Sequence, residues 1–252
     1  MKFFQVFTMI VMVLATVGVI GESGRGKHVY IALFTAAGVL HLAAWALSMM
    51  YFEEDMSMKD KFIKAYTENI TRPGADKLLA WIESSDFFAA PASTRFHLSS
   101  PGGLLEHSLH VFERMKAICA NEATITPGFN EPSMETIAVC GLLHDICKAN
   151  FYAVEMRNRK NDQGRWEQYP FYVVDDKLPY GHGEKSVYII SGFMRLSREE
   201  AMAIRWHMGF ADNDFRGGGY SVGNAFEKFP LAVLLHIADL QATYLDETGE
   251  KA

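Results

Sequence analysis

Cysteine is scarce: the 252 residues hold three, Cys119, Cys140 and Cys147, an odd number with no C-x-x-C spacing. That excludes a disulfide framework and a zinc ribbon and points to a reducing compartment. Positive charge is in deficit as well, with 24 Lys and Arg against 30 Asp and Glu, a net charge of -6 and a pI near 5.8. A chain without a broad basic face does not capture duplex nucleic acid electrostatically, although a small anion held locally stays compatible with it. No internal repeat is present, and nothing in the composition is disordered or collagen-like. The length is enough for one good hydrophobic core.

Charge is also missing locally, from two stretches near the start. Phe3 to Ile20 runs for 18 residues without a formal charge, and Val29 to Phe52 for 24 with only His41 able to titrate. As helices they would reach roughly 27 and 36 Å, against a hydrocarbon core of about 30 Å. The alternatives are a cleaved signal peptide and a buried core helix. Ala15-Thr16-Val17 is a poor cleavage site, and the second apolar run follows within a dozen residues. The expectation is a membrane helical hairpin over residues 1–55, touching the bilayer through residues 3–52, followed by a second domain over 56–252. Lys2, Lys59 and Lys61 then lie on one side, and with the cysteine reading this places the second domain in the cytoplasm.

From Met56 the pattern is that of a water-soluble domain. Lys59 to Ile70 and Ala75 to Ser84 predict amphipathic helices separated by Arg72-Pro73-Gly74, and Phe87 to Ser100 predicts a loop carrying Arg95 and His97. Pro101-Gly102-Gly103 opens a helix in which Leu104, Val111, Met115 and Ile118 share a stripe, with His107 at its edge. Ile137, Gly141, His144 and Lys148 predict one face of another helix. Tyr152 to Asp176 alternates around Asn161-Asp162-Gln163-Gly164 and predicts a β-hairpin inserted among helices. A helix resumes near His182, flanked by Gly181 and Gly183. Ser197 and Glu200 form a capping box for a helix ending near His207 and Gly209. Asp212 to Gly223 predicts a loop. The final helix is expected from Pro230 to Glu247, with Leu231, Leu234, Leu235, Ala238, Ala242 and Leu245 as its apolar stripe and Asp239 beside it.

His107, His144-Asp145, His182, His207 and Asp239 thus sit on or beside helices patterned for burial, where ionisable groups are costly unless paired or bound to metal. Singly, each reads as an ordinary helix residue. Together, four imidazoles and two carboxylates suit one or two divalent ions of the Mn, Fe, Zn or Ni class, and Mg less well. Lys148 is open to two readings, a phosphate contact or an ion pair with Asp145. Lys185, Arg205 and Arg95 are further candidates for substrate contact.

The ordered set His107, His144-Asp145 and Asp239 resembles the H…HD…D signature of the HD superfamily of metal-dependent phosphohydrolases. So do the phrases Gly103-Leu104-Leu105-Glu106-His107-Ser108-Leu109, Leu142-Leu143-His144-Asp145-Ile146-Cys147-Lys148 and His236-Ile237-Ala238-Asp239. The resemblance spans roughly Phe87 to Glu247. It implies an all-α, HD-type helical bundle with the β-hairpin as an insertion, behind the N-terminal transmembrane hairpin. It also implies one metal on His107, His144, Asp145 and Asp239, and a second on His182 and His207 bridged by Asp145. Trp206-His207-Met208 departs from members with adjacent histidines at that point, so a third metal is not implied. No Gly-Tyr-Pro signature marks the cyclic-dinucleotide branch that carries one.

The expected activity is hydrolysis of a phosphoester, of a nucleotide or related small molecule, by metal-activated water, with Asp145 and Lys148 as catalytic groups. Two other classes remain open. The opening motif is also similar to HD-type 3′-to-5′ exoribonucleases and conjugative relaxases, but Glu53 to Asp86 is too short for the nucleic-acid-binding domain that precedes the exoribonuclease HD domain. The other is a membrane-tethered sensor that binds a nucleotide without turnover. A di-iron oxygenase is a remoter relative of the same resemblance.

Overall fold

The computed structural model describes residues 56–211 and 220–248. The expected membrane hairpin at residues 3–52 lies outside the described residues, and among those described no helix is long and apolar enough to cross a membrane. The described elements from Met58 onward belong to one compact unit, Met58–Ala252.

Within the described residues the fold is helical with one small hairpin. In chain order it runs α1 (Met58–Asn69), α2 (Ala75–Ser84), α3 (Gly103–Ile125), α4 (Met134–Leu143) and a 3-10 turn (Ile146–Lys148). β1 (Tyr152–Lys160) and β2 (Trp166–Val174) follow, then α5 (His182–Ser191), α6 (Arg198–Trp206) and a 3-10 turn (Gly209–Ala211). α7 (Ser221–Lys228), α8 (Pro230–Gln241) and a π-helical turn (Ala242–Asp246) complete it. The strands pair antiparallel from Tyr152 with Val174 to Lys160 with Trp166, as period-2 alternation around a turn requires.

α4 is the most apolar helix and is buried along its length from Ile137 to Leu143. It packs on α3, whose inner stripe of Leu104, Val111, Phe112 and Met115 is fully buried, and α8 closes the core through Leu231, Leu234, Leu235 and Ala238. Two glycines set how closely helices approach. A Cβ on Gly141 would stand 2.6 Å from Phe112 Cα, and one on Gly183 would stand 2.2 Å from the Arg205 carbonyl oxygen. The first presses α4 onto α3, and the second brings the start of α5, with His182, against the end of α6, beside His207.

Three expectations fail in instructive ways. α4 stops at Leu143, so His144 is its cap and Lys148 falls in a 3-10 turn; Lys148 does not extend the α-helical face of Ile137 and Gly141. Ser221 to Lys228, part of which was expected as loop, is helical; its buried Val222 and Ala225 pack with Trp206, and tertiary packing overrides the glycine in its middle. The final α-helix ends at Gln241 and continues as the π-helical turn. The wider i→i+5 turn shifts the helical phase. Leu245, expected in the apolar stripe, is therefore 62% exposed, whereas Glu247 is buried.

Candidate metal centre

His107 projects from the first turns of α3, His144 caps α4, Asp145 opens the 3-10 turn, His182 begins α5, His207 caps α6 and Asp239 lies in α8. All six converge. His107, His144, Asp145 and His207 are almost wholly buried, so their polar atoms must find partners inside the protein.

The partners define the tautomers. A carbonyl oxygen only accepts, so His144 donates from Nδ1 to the Gly141 oxygen at 3.0 Å, and His207 donates from Nδ1 to the Ile204 oxygen at 2.7 Å. Each therefore turns an Nε2 lone pair inward when neutral. His207 Nε2 has no hydrogen-bond partner among the described residues and faces Asp145 Oδ1 at 3.4 Å. His144 Nε2 faces Asp145 Oδ2 at 3.5 Å and His107 Nε2 at 3.3 Å. His107 Nε2 in turn lies 3.2 Å from Asp239 Oδ1 and 3.6 Å from Asp145 Oδ2.

Acceptors facing acceptors in a buried pocket repel unless a cation lies among them. Ligand atoms of His107, His144 and Asp239 all fall within 4.8 Å of one another, as do those of His144, Asp145 and His207. The two oxygens of Asp145 divide between the groups: Oδ2 toward His107 and His144, Oδ1 toward His207 and, at 2.8 Å, His182 Nε2. The donor set is imidazole and carboxylate, which fits a divalent ion.

Left to the side chains alone, protons and one lysine neutralise part of this charge. Burial opposes charging His107, but the hydrogen bonds it donates to the Asp239 and Glu247 carboxylates outweigh it and push its pKa up to about 9. His182 is likewise raised to about 10, Cys147 and Asp145 overcoming burial. His144 goes the other way: burial, only partly offset by the Asp145 charge, holds it near 3. Burial would raise Asp145, yet Lys148, His144 and His182 keep it well below the usual carboxylate range. Lys148 Nζ lies 2.6 Å from Asp145 Oδ2.

The other candidates sit differently. The Lys185 ammonium is held by Asp176 and lies over the Phe151 ring. Arg205 pairs with Glu184 and stacks on Trp206, and Arg95 is exposed. Three residues that sequence reasoning left aside border the centre. Glu247 contacts His107 Nδ1 at 2.9 Å, the Cys147 sulfur lies 3.3 Å from His182 Nδ1, and His97 packs its ring 5.0 Å from that of His107. His97 was visible only as a polar residue in the loop before the motif. The other two carry no periodic signal, since their placement depends on a π-helical turn and a 3-10 turn.

No curated protein and no solved structure matches the chain. A family model, described as HD domain, matches residues 104–240. That stretch begins just before His107 and ends just after Asp239, and it covers more than half of the chain. The residues that converge on Asp145 are thus the ones the matched segment encloses, and the chain belongs to the HD domain family of metal-dependent phosphohydrolases.

Proposed function

We propose that the chain hydrolyses a phosphoester of a nucleotide or a related small phosphorylated molecule at the centre around Asp145. The observation that carries this reading is the inward convergence of His144 and His207 lone pairs on the two oxygens of one buried carboxylate. In this reading His107, His144, Asp145 and Asp239 would hold one divalent ion and His182 and His207 a second, with Asp145 shared, as the family resemblance implies. Ions bound there would acidify a water and neutralise the nonbridging oxygens of the phosphate.

The chain's own residues supply the rest. Asp145 stays ionised under the charges around it and so remains a ligand and a hydrogen-bond acceptor across the working pH range. Lys148, whose side chain is 14% exposed, can move its ammonium from Asp145 to an arriving phosphate oxygen, where growing negative charge is stabilised. Arg95 lies on the loop that leads to α3 and would meet the substrate from outside, whereas Lys185 and Arg205 would need to leave Asp176 and Glu184 to do so. In this reading residues 3–52 hold the protein at a membrane, with the HD domain over 56–252 facing the cytoplasm, an arrangement supported by hydropathy, lysine placement and cysteine usage. Duplex nucleic acid is not a partner, given the acidic balance of the chain.

The test is metal analysis of anaerobically purified protein, followed by a phosphate-release screen over nucleotides, cyclic dinucleotides and short RNA. Release from a nucleotide, lost with the metal, is the expected result. Full metal loading with no turnover on any phosphoester would make the protein a binding module instead.

A further inference from the structure

His144 and His207 have their outer nitrogens held by carbonyls three residues earlier in their own helices, which any helix end can offer. His107 lies inside α3, where the backbone ladder occupies those carbonyls. Its ring needs a partner from elsewhere, and it finds one 140 residues away. Glu247 Oε1 and Oε2 stand 2.9 and 3.2 Å from His107 Nδ1, and the Glu247 side chain is fully buried. The same Oε1 is 3.1 Å from His110 Nδ1, and Oε2 is 3.9 Å from His97 Nε2.

The chain is built to deliver this carboxylate. The Glu247 amide donates to the Ala242 oxygen across the π-helical turn at 3.1 Å. Next to it, Asp246 Oδ2 accepts from Arg114 Nε at 2.8 Å, which ties the turn to α3, the helix that carries His107.

We infer that Glu247 is a positioning residue of the metal centre. It accepts the His107 Nδ1–H, fixes that ring with its Nε2 lone pair toward Asp239 and Asp145, and so sets the affinity for the ion held by His107, His144, Asp145 and Asp239. A carboxylate behind a ligating imidazole both orients it and makes its inner nitrogen a better donor. Glu247 lies beyond the matched residues 104–240, so this support belongs to the chain's own C-terminal segment. The inference rests on the metal reading proposed above.

Co2+ titration of the full-length protein separates the two, with binding followed by the visible absorption of the ion and by competition with a chelator. The ion of interest is the one whose binding His107→Ala abolishes. Glu247→Ala is expected to weaken it about 10- to 100-fold. Glu247→Gln, which keeps an acceptor oxygen but not the charge, should have a Co2+ affinity between those of Ala and wild type. A merely structural strap would lower the thermal midpoint and leave the Co2+ affinity of the folded protein alone. If Glu247→Ala does not fold, the Gln variant decides by itself. Wild-type affinity in the folded variants overturns the role of Glu247 and spares the metal centre, whereas a wild type that binds no Co2+ overturns both.

Discussion

Asp145 is the residue on which most of the centre depends, because each of its oxygens serves a different set of imidazoles. Asp145→Ala should therefore remove most of the bound metal, where anaerobically purified wild type is expected to hold about two divalent ions per chain. His144→Ala should behave similarly, read by elemental analysis. Full occupancy in Asp145→Ala would exclude the shared carboxylate. Lys148 poses a separate question, since its 2.6 Å contact with Asp145 suits both a structural pair and a resting position for a phosphate-binding ammonium. Lys148→Ala should lower turnover by about 10²-fold, roughly 2.7 kcal/mol of transition-state stabilisation, with metal content and thermal midpoint retained. Joint loss of rate, metal and midpoint would return the lysine to a structural role.

Among the elements, α4 shows how a helix can be at once core and ligand carrier. Gly141 gives α3 room, since a Cβ there would stand 2.6 Å from Phe112 Cα, and its carbonyl holds the His144 ring. Gly141→Ala should cost about 1–3 kcal/mol by overpacking and weaken metal binding with it, measured by chemical denaturation and ion titration on one preparation. Away from the centre, Glu200 joins three segments: it takes a bidentate contact from Arg72 at 2.7 and 2.8 Å, accepts from Thr136 at 3.1 Å, and caps its own helix α6 at the Ser197 amide. Burial would raise its pKa, but the Arg72 hydrogen bonds and the Ser197 amide hold it below its ordinary 4.5. The folded carboxyl thus binds protons less readily than the unfolded one. Its contribution is complete above pH 4.5 and is lost as the pH falls through the lower folded value. Glu200→Gln should destabilise by about 3 kcal/mol at neutral pH, and the difference in thermal midpoint from wild type should shrink in acid. The capping box that places Glu200 was legible in the sequence because it is a local pattern of four residues. The groups that converge on Asp145 were legible only as an ordered set, since singly each reads as an ordinary helix residue. The α7 helix, the end of α4 at Leu143 and the burial of Glu247 were not, because packing and changes of helical pitch decide them and leave no period to read.

At the scale of the whole molecule, the compact unit Met58–Ala252 holds a closed core of its own, with Phe62, Leu78, Phe87, Leu104 and Leu142 fully buried. A chain beginning near Met56 should fold and stay in solution, while the full chain should partition with membranes through the apolar runs before it. Full-length protein that stays soluble without detergent would overturn the anchoring. The convergence of α3, α4, α5, α6 and α8 on one carboxylate has a thermodynamic consequence. An ion that binds only the folded arrangement ties together segments from His107 to Asp239, so the protein's resistance to unfolding becomes a function of free-ion concentration. At an ion concentration about 100 times its Kd the gain is about 2.7 kcal/mol. The chain would then register metal scarcity first as a lowered melting temperature and a shorter lifetime against proteolysis.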